Sequence, residues 1–444
     1  MEKQNIFQIV VIGVFAVLIL LGFLAFSGRL PLPTGDEDVN YGTVTVWGTL
    51  PKAAMNQLIG DLLAQDTHVR VTYTEKKKET FENDFVEALA RGNGPDLILV
   101  SQDNIPTALD KLALVPYTTM SQGEFKNSFL QESSMFLRDQ GIVALPITID
   151  PIVMYWNRDI FSNALVPQPP TSWSQFYDLV PRITTKDATG NITQSLVALG
   201  EYNNISHAKE IISFLMMQAG SPIVTFQNGS PTAALFGANV SGENPVMAAI
   251  RFYTEFSKPG KDAYSWNRSL PQSRTMFESG NLALYFGYAS EYKDIAAKNP
   301  HLNFDVMMVP QTGSGSSGST NTSRLTYGQM QGVALVRMSK NQQGALYVAR
   351  MLSSKEAVGA LSKILGLPPA RLDLISAMPD DATQTVFYNS ALISRGWYDP
   401  SPTGSSMVFS NMIDDITSGR SLISQALSDA NSSLGKLLVP SSRK

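Results

Sequence analysis

From Gly42 onward, short apolar runs alternate with stretches in which apolar residues recur at helical spacing. Val44, Val46 and Trp47 read as a strand, and Ala54, Leu58, Leu62 and Leu63 then fall at helix intervals. Val69, Val71 and Tyr73 alternate as a second strand. Phe81, Phe85, Ala88 and Leu89 line one face of a helix that Gly92 ends, and Asp96 to Ser101 reads as a third, buried strand. This β-α-β-α-β order predicts a parallel sheet covered by helices, because parallel neighbours need crossover connections. Ligands of such sheets sit at the carboxyl ends of the strands. Here those ends are Trp47-Gly48-Thr49 and Ser101-Gln102-Asp103-Asn104.

Further along, Ala144 to Ile149 and Pro151 to Trp156 form extended stretches split by Asp150. Helices are predicted at Ser172 to Arg182, His207 to Ala219, Pro245 to Ser257 and Gln272 to Ser279, with Asn244 as an N-cap ahead of Pro245. Leu282 to Gly287 and Phe304 to Val309 return as strands. Gln311 to Ser323 is a Gly/Ser/Thr run that reads as a surface loop. The remainder is mostly helical, including Gln342 to Leu352 and Lys355 to Leu365, the latter opened by Ser353 and Glu356 as a capping box.

The segment ahead of this body is different. Ile6 to Phe26 carries no charge, and as a helix it would cover roughly 30 Å, a bilayer core. Residues 1–28 therefore read as a transmembrane anchor or a signal segment, Ala25 and Ser27 also fitting a small-x-small cleavage rule. Residues 29–41, rich in Pro, Gly and acidic residues, form a polar linker. The expected location is the cell membrane, single-pass, with the soluble body on the extracytoplasmic side.

Composition narrows the function by exclusion. With 444 residues, 43% of them hydrophobic, the chain has room for two or three domains. A net charge of −4 with mixed signs leaves no footprint for nucleic acid. There is no cysteine, hence no disulfide, thiolate site or lipid-anchor cysteine. His68, His207 and His301 are scattered without metal-ligand spacing and read as surface or helix-edge residues. Gly313, Gly315 and Gly318 satisfy GxGxxG, but no helix follows, so a dinucleotide is not expected. No Walker loop and no GxSxG elbow occur. No cofactor and no metal are expected.

One segment is specific. Gly141 to Phe176, GIVALPITIDPIVMYWNRDIFSNALVPQPPTSWSQF, holds in order Pro146, Asp150, Tyr155, Trp156, Asn157, Arg158, Asp159, Phe161, Pro170, Ser172 and Trp173. This resembles the central signature of the family 1 extracellular solute-binding proteins of ABC importers, the group that includes maltose-binding protein. Gly92 to Val100, Met276 to Gly287 and Leu346 to Val358 are similar to further elements of that family. The resemblance implies an α/β, two-lobed, type II periplasmic-binding-protein-like fold with a hinge near Ile149 to Val153; the N-terminal transmembrane helix, read from the uncharged run, is a departure that takes the place of a lipid-anchor cysteine. The resemblance divides the body into a first lobe from 42–149 and 271–325 and a second from 150–270 and 326–444. It also implies partners: ABC permease subunits with a separate ATPase, and a small polar ligand, with the binding protein itself a monomer.

A sugar site combines aromatic platforms with side chains that pair hydroxyls. Loop aromatics and strand-end polar residues give the candidates Trp47, Gln102, Asp103, Asp150, Trp266, Tyr288, Gln329 and Trp397. Each has a competing structural role: lobe core for Trp47, a turn cap for Asp103, and a salt bridge or cap for Asp150. Trp156 and Trp173 read as packing residues. The expected geometry brings the Trp47 and Trp266 indoles together across a water-filled gap. The functional alternatives are an exported, membrane-anchored glycan-processing enzyme and a receptor module that has lost transport.

Overall fold

The computed structural model describes residues 40–64, 66–227, 229–237, 244–312 and 324–439. The expected anchor, nearly all of the linker, and most of the Gly/Ser/Thr run with its GxGxxG pattern lie outside the described residues. Among the described residues no helix is long and apolar enough to cross a membrane.

The first half of the chain builds as its pattern dictates. Strands β1 (Gly42–Gly48), β2 (Val69–Glu75) and β3 (Leu97–Ser101) alternate with helices Lys52–Leu63 and Phe81–Ala90. β1 pairs in parallel with both β2 and β3. β1 turns Val44 and Val46 into the core on one face, whereas Leu97, Ile98, Leu99 and Val100 of β3 are all buried, as a strand covered on both faces requires. Helix Phe81–Ala90 buries Phe81, Phe85, Ala88 and Leu89 against that sheet.

At Leu145 the chain enters β4 (Leu145–Asn157), a single strand of 13 residues. Asp150 does not break it, contrary to the split expected from sequence; the strand instead changes cores there. Side chains up to Ile149 belong to one buried cluster and those from Ile152 to another. Beyond it come β5 (Ile192–Val197), β6 (Leu282–Tyr288) and β7 (Thr326–Val336). β7 makes the reverse exchange, with Tyr327 in the second core and Met330 in the first. The two strands run antiparallel, Gly328 opposite Pro151 and Gln329 opposite Asp150, so both change lobes at the same level. The sheet order is β2-β1-β3-β7-β4-β6-β5, with Thr185–Lys186 at the far edge.

A third connection lies beside these two. Helix Ala382–Leu392 places Phe387 in the second core and Ala391 in the first, and Ser394–Arg395 then pairs with Thr326 and Tyr327 of β7. Gly328 makes this close approach possible, because a Cβ there would sit 2.4 Å from the Ser394 hydroxyl oxygen.

Core membership corrects the lobe boundaries. Residues 271–325, expected with the first lobe, put Met276, Phe277, Leu282, Leu284, Phe286 and Ile295 into the second core. The reason is pairing: β6 lies antiparallel to the second half of β4, with Leu284 opposite Trp156. Conversely, residues 330–375, expected with the second lobe, complete the first core through Met330, Val333, Val348, Leu352 and Leu361. There β7 pairs with β3, Gln331 opposite Ser101. The stretch from Trp397, with helices Pro402–Thr417 and Ile423–Leu438, returns to the second core, which Leu367 and Phe387 also enter. Asn244 caps its helix as expected, accepting from the Val246 and Met247 N–H groups. The cap of Lys355–Leu365 is Ser354 rather than Ser353.

Candidate functional site

The carboxyl end of β3, the β4/β7 exchange point and one helix of the second lobe converge on a polar region between the cores. From the first lobe, Gln102 and Asp103 follow β3. Gln102 is absorbed by the hinge: its amide nitrogen donates to the Gly328 carbonyl at 2.8 Å, and its oxygen accepts from the Met330 N–H at 3.0 Å. It thus splints β7 where that strand changes lobes. Asp103 accepts from the Tyr327 hydroxyl at 3.2 Å and from the Gln329 amide at 2.8 Å. Burial raises its pKa, and the nearby Lys209 charge opposes the rise.

Asp150 sits on the exchange point itself, opposite Gln329. One of its oxygens accepts from the Ser290 backbone N–H at 3.0 Å, so its capping role is real. Burial pushes this carboxyl up to about 6, against the opposing Ser290 hydrogen bonds.

The second lobe contributes helix Ala208–Gln218 and the turn after β6. Tyr202, Asn203, Ile205, His207, Lys209, Glu210, Pro402 and Ser406 line a cavity of about 360 Å³. Lys209 is paired with Asp399 at 2.8 Å, and Asp399 also accepts from Ser405 at 2.7 Å. Burial disfavours the lysine charge, but Asp399, Asp103 and Glu210 outweigh it and raise its pKa. Lys209, from the second lobe, is therefore within electrostatic reach of Asp103 from the first. His207 bonds Glu291 at 2.6 Å, and Tyr288, 8% exposed, packs edge-on against the His207 ring at 4.8 Å.

The tryptophans correct the expectation of an indole clamp. Trp266 is fully buried in the second core, its N–H donating to Asn204. Trp397 is likewise core, 4% exposed, with its N–H on Ser213. Trp47 packs partly against the first core, with the Lys76 ammonium 3.9 Å above its ring. Trp47 and Trp266 thus belong to separate interiors and form no pair of platforms. Trp266 and Trp397 follow a local rule that outranks loop position: a large ring finds a core where its N–H also finds an acceptor. Trp173 packs as read, stacked on Phe214.

Of the sequence-based candidates, Asp103, Asp150 and Gln329 meet around the exchange point, Gln102 is spent on the hinge, Tyr288 packs on His207, Trp266 and Trp397 are core, and Trp47 is half-buried at the end of β1. The structure adds His207, Lys209, Glu210, Glu291 and Asp399, which carry no motif. His207 was expected at a surface or helix edge. It does precede a helix, but it lines the cavity with its side chain 24% exposed. Among the described residues no group of acids and histidines is placed to hold a metal ion.

Comparison with known proteins agrees with this architecture. The chain matches the family model for bacterial extracellular solute-binding proteins over residues 59–385. Curated binding proteins of Brucella abortus strain 2308 and Brucella suis biovar 1 strain 1330 are each 22% identical over 281 residues. The chain spans 60% of the length of these relatives, and the match covers 60% of the chain. Among solved structures, a cyclo/maltodextrin-binding protein complexed with maltotetraose superposes with a TM-score of 0.71 at 17% identity, over 93% of this chain and 100% of that one. A cyclic α-maltosyl-1,6-maltose-binding protein from Arthrobacter globiformis gives 0.70 at 15%, over 89% and 98%. An ABC transporter solute-binding protein from Thermotoga lettingae bound with α-D-tagatose gives 0.65 at 19%, over 89% and 100%. These likenesses establish the two-lobed solute-binding fold. The family is one of binding proteins rather than enzymes, which sets aside the glycan-processing alternative, and its members work outside the cytoplasm. With a family match over most of its length and a hinge of paired crossover strands, this chain belongs to the bacterial extracellular solute-binding protein family.

Proposed function

We propose that the chain captures a sugar or oligosaccharide between its lobes by hinge closure and delivers it to the permease of an ABC importer, tethered to the membrane by its N-terminal segment. The observation that carries this reading is the paired exchange of β4 and β7 between two cores at Asp150 and Gln329. Only a few residues join the lobes there. A ligand touching both lobes stabilises the closed arrangement by its differential affinity for it. Groups that can pair with saccharide hydroxyls are Asp103, Asp150 and Gln329 around the exchange point and Glu210 and Ser406 in the second-lobe cavity. Tyr202 and Tyr288 are the aromatic rings at the site. The tether rests on the uncharged run Ile6 to Phe26. Solved relatives in complex with maltotetraose and α-D-tagatose support the ligand class.

The test is a thermal-shift panel of mono- and oligosaccharides on the full chain in detergent. A true ligand at a hundredfold excess over Kd adds about 2.7 kcal/mol of stability. No shift with any saccharide, beside a clear shift with amino acids or polyamines, rejects the sugar. Tethering is checked by carbonate extraction, which leaves a spanning chain in the membrane pellet and releases an untethered one.

A further inference from the structure

His207 combines three features that packing alone does not explain. Its backbone is left-handed, φ 59°, a conformation uncommon for a residue with a side chain and concentrated at functional positions. Its side chain lines the cavity of about 360 Å³ beside Lys209 and Glu210. Its Nε2 is held by a buried carboxylate, Glu291, at 2.6 Å. Glu291 is itself immobilised: it accepts from the Tyr288 N–H at 3.0 Å and the Tyr285 hydroxyl at 2.7 Å, and pairs with Arg274 at 3.3 Å. The ring is thus clamped at one nitrogen and flanked by Tyr288, which leaves Nδ1 as the nitrogen through which it can meet a bound molecule.

We infer that His207 is a ligand-contacting, specificity-determining residue of the cleft, and that Glu291 is the positioning residue that fixes its ring, so that Nδ1–H donates to an oxygen of the bound saccharide. This rests on the sugar-capture reading and deepens it. The groups facing the imidazole favour its charge. Burial opposes protonation, but the hydrogen bond and charge of Glu291, with Glu210 and Asp150 farther off, outweigh it and raise the pKa above the ordinary histidine value. Lys209 lies on the same helix and is balanced by Asp399. Arg274, Tyr285 and Tyr288 meet the pair from the far side of Glu291 and from the end of β6. Glu291 in turn stays ionised, because the His207, Tyr285 and Tyr288 contacts overcome its burial. The same turn also reaches the hinge, since the Ser290 N–H donates to Asp150. Glu291, the partner of His207, is thus the chain neighbour of Ser290, whose N–H contacts the exchange point directly.

The experiment is titration calorimetry of the full chain with maltotriose, maltotetraose and D-tagatose, from about pH 6 to about pH 8.5, the range over which a histidine of raised pKa loses its proton. The wild type should bind more weakly as pH rises through that range. His207→Ala should lose on the order of tenfold or more in affinity at about pH 6.5, the worth of one charge-assisted hydrogen bond. His207→Asn, whose amide can donate from near the Nδ1 position and whose backbone tolerates the left-handed region, should recover most of that loss and flatten the pH profile. Glu291→Gln should move the midpoint of the profile to lower pH. His68→Gln and His301→Gln should leave the profile unchanged. If a saccharide binds and His207→Ala matches wild type, or if the profile persists in His207→Asn, the inference is overturned while sugar capture stands. If none of the three saccharides binds at any pH, sugar capture and this inference fall together.

Discussion

Glu132 is buried at the contact between the first lobe and the third connection, and its Oε1 has no hydrogen-bond partner among the described residues. Burial pushes its carboxyl up to about 8, and the Gly396 N–H and the Arg395 charge offset this only in part. Gly396 is bare for the same reason: a Cβ there would lie 2.6 Å from Oε1 and 2.3 Å from the Gln102 amide nitrogen. A carboxyl whose folded pKa is raised binds more protons folded than unfolded. Its effect is therefore absent below the unfolded value, near 4.5, and it destabilises progressively as pH rises from there to about 8. Glu132→Gln removes that charge and keeps an acceptor for the Gly396 N–H. It should stabilise the protein by about 1–3 kcal/mol at neutral pH and by nothing near pH 4. Urea melts at the two pH values measure the difference, and an equal effect at both would show that the carboxyl is not held protonated.

Among the elements, β4 and β7 carry most of the architecture, and both were partly legible. The alternation around Asp150 announced an extended stretch interrupted by a charge, and the resemblance placed a crossover there. The pattern could not show that the interruption is a change of core within one continuous strand, because period-2 alternation is the same whichever interior a side chain enters. Gln102 shows the same limit. As a polar residue at a strand end it reads as a ligand group, yet both ends of its amide are spent on β7. Gln102→Ala strips the buried Gly328 carbonyl and Met330 N–H of these partners, which should cost about 1–3 kcal/mol. The expected readout is a lower urea midpoint in the apo protein, with saccharide affinity changed by less than tenfold. A large loss of affinity with unchanged stability would return Gln102 to the list of ligand contacts.

At the scale of the molecule, neither lobe is a contiguous piece of chain. The first core closes only when Met330 to Ile375 packs on Val44 to Ile149, and the second only when Trp397 to Leu438 packs on Ile152 to Val309. A chain ending at Val309 therefore lacks part of both interiors. It should show the dye binding and lost near-ultraviolet dichroism of an incompletely packed state, whereas division into independent sequential domains would leave one lobe native. This interleaving is why lobe boundaries drawn along the sequence failed at 271–325 and 330–375: local periodicity reports that a segment has an apolar face, not which interior receives it.

The amino-acid sequence by itself determined the strand and helix order of the first lobe, the absence of cysteine and nucleotide-loop chemistry, the uncharged N-terminal run, and the family signature around Asp150. These depend on neighbours within a few residues, where side-chain period, capping and turn chemistry act directly. Tertiary structure alone decided that Trp266 and Trp397 are core, that Gln102 serves the hinge, that His207 and Glu210 line one cavity, and that Glu291 is buried against His207. Those outcomes depend on residues brought together from positions tens to hundreds apart, such as Lys209 with Asp399 and Asp103 with Gln329. At that range burial and pairing are fixed by how two cores share one sheet, and local sequence carries no record of it.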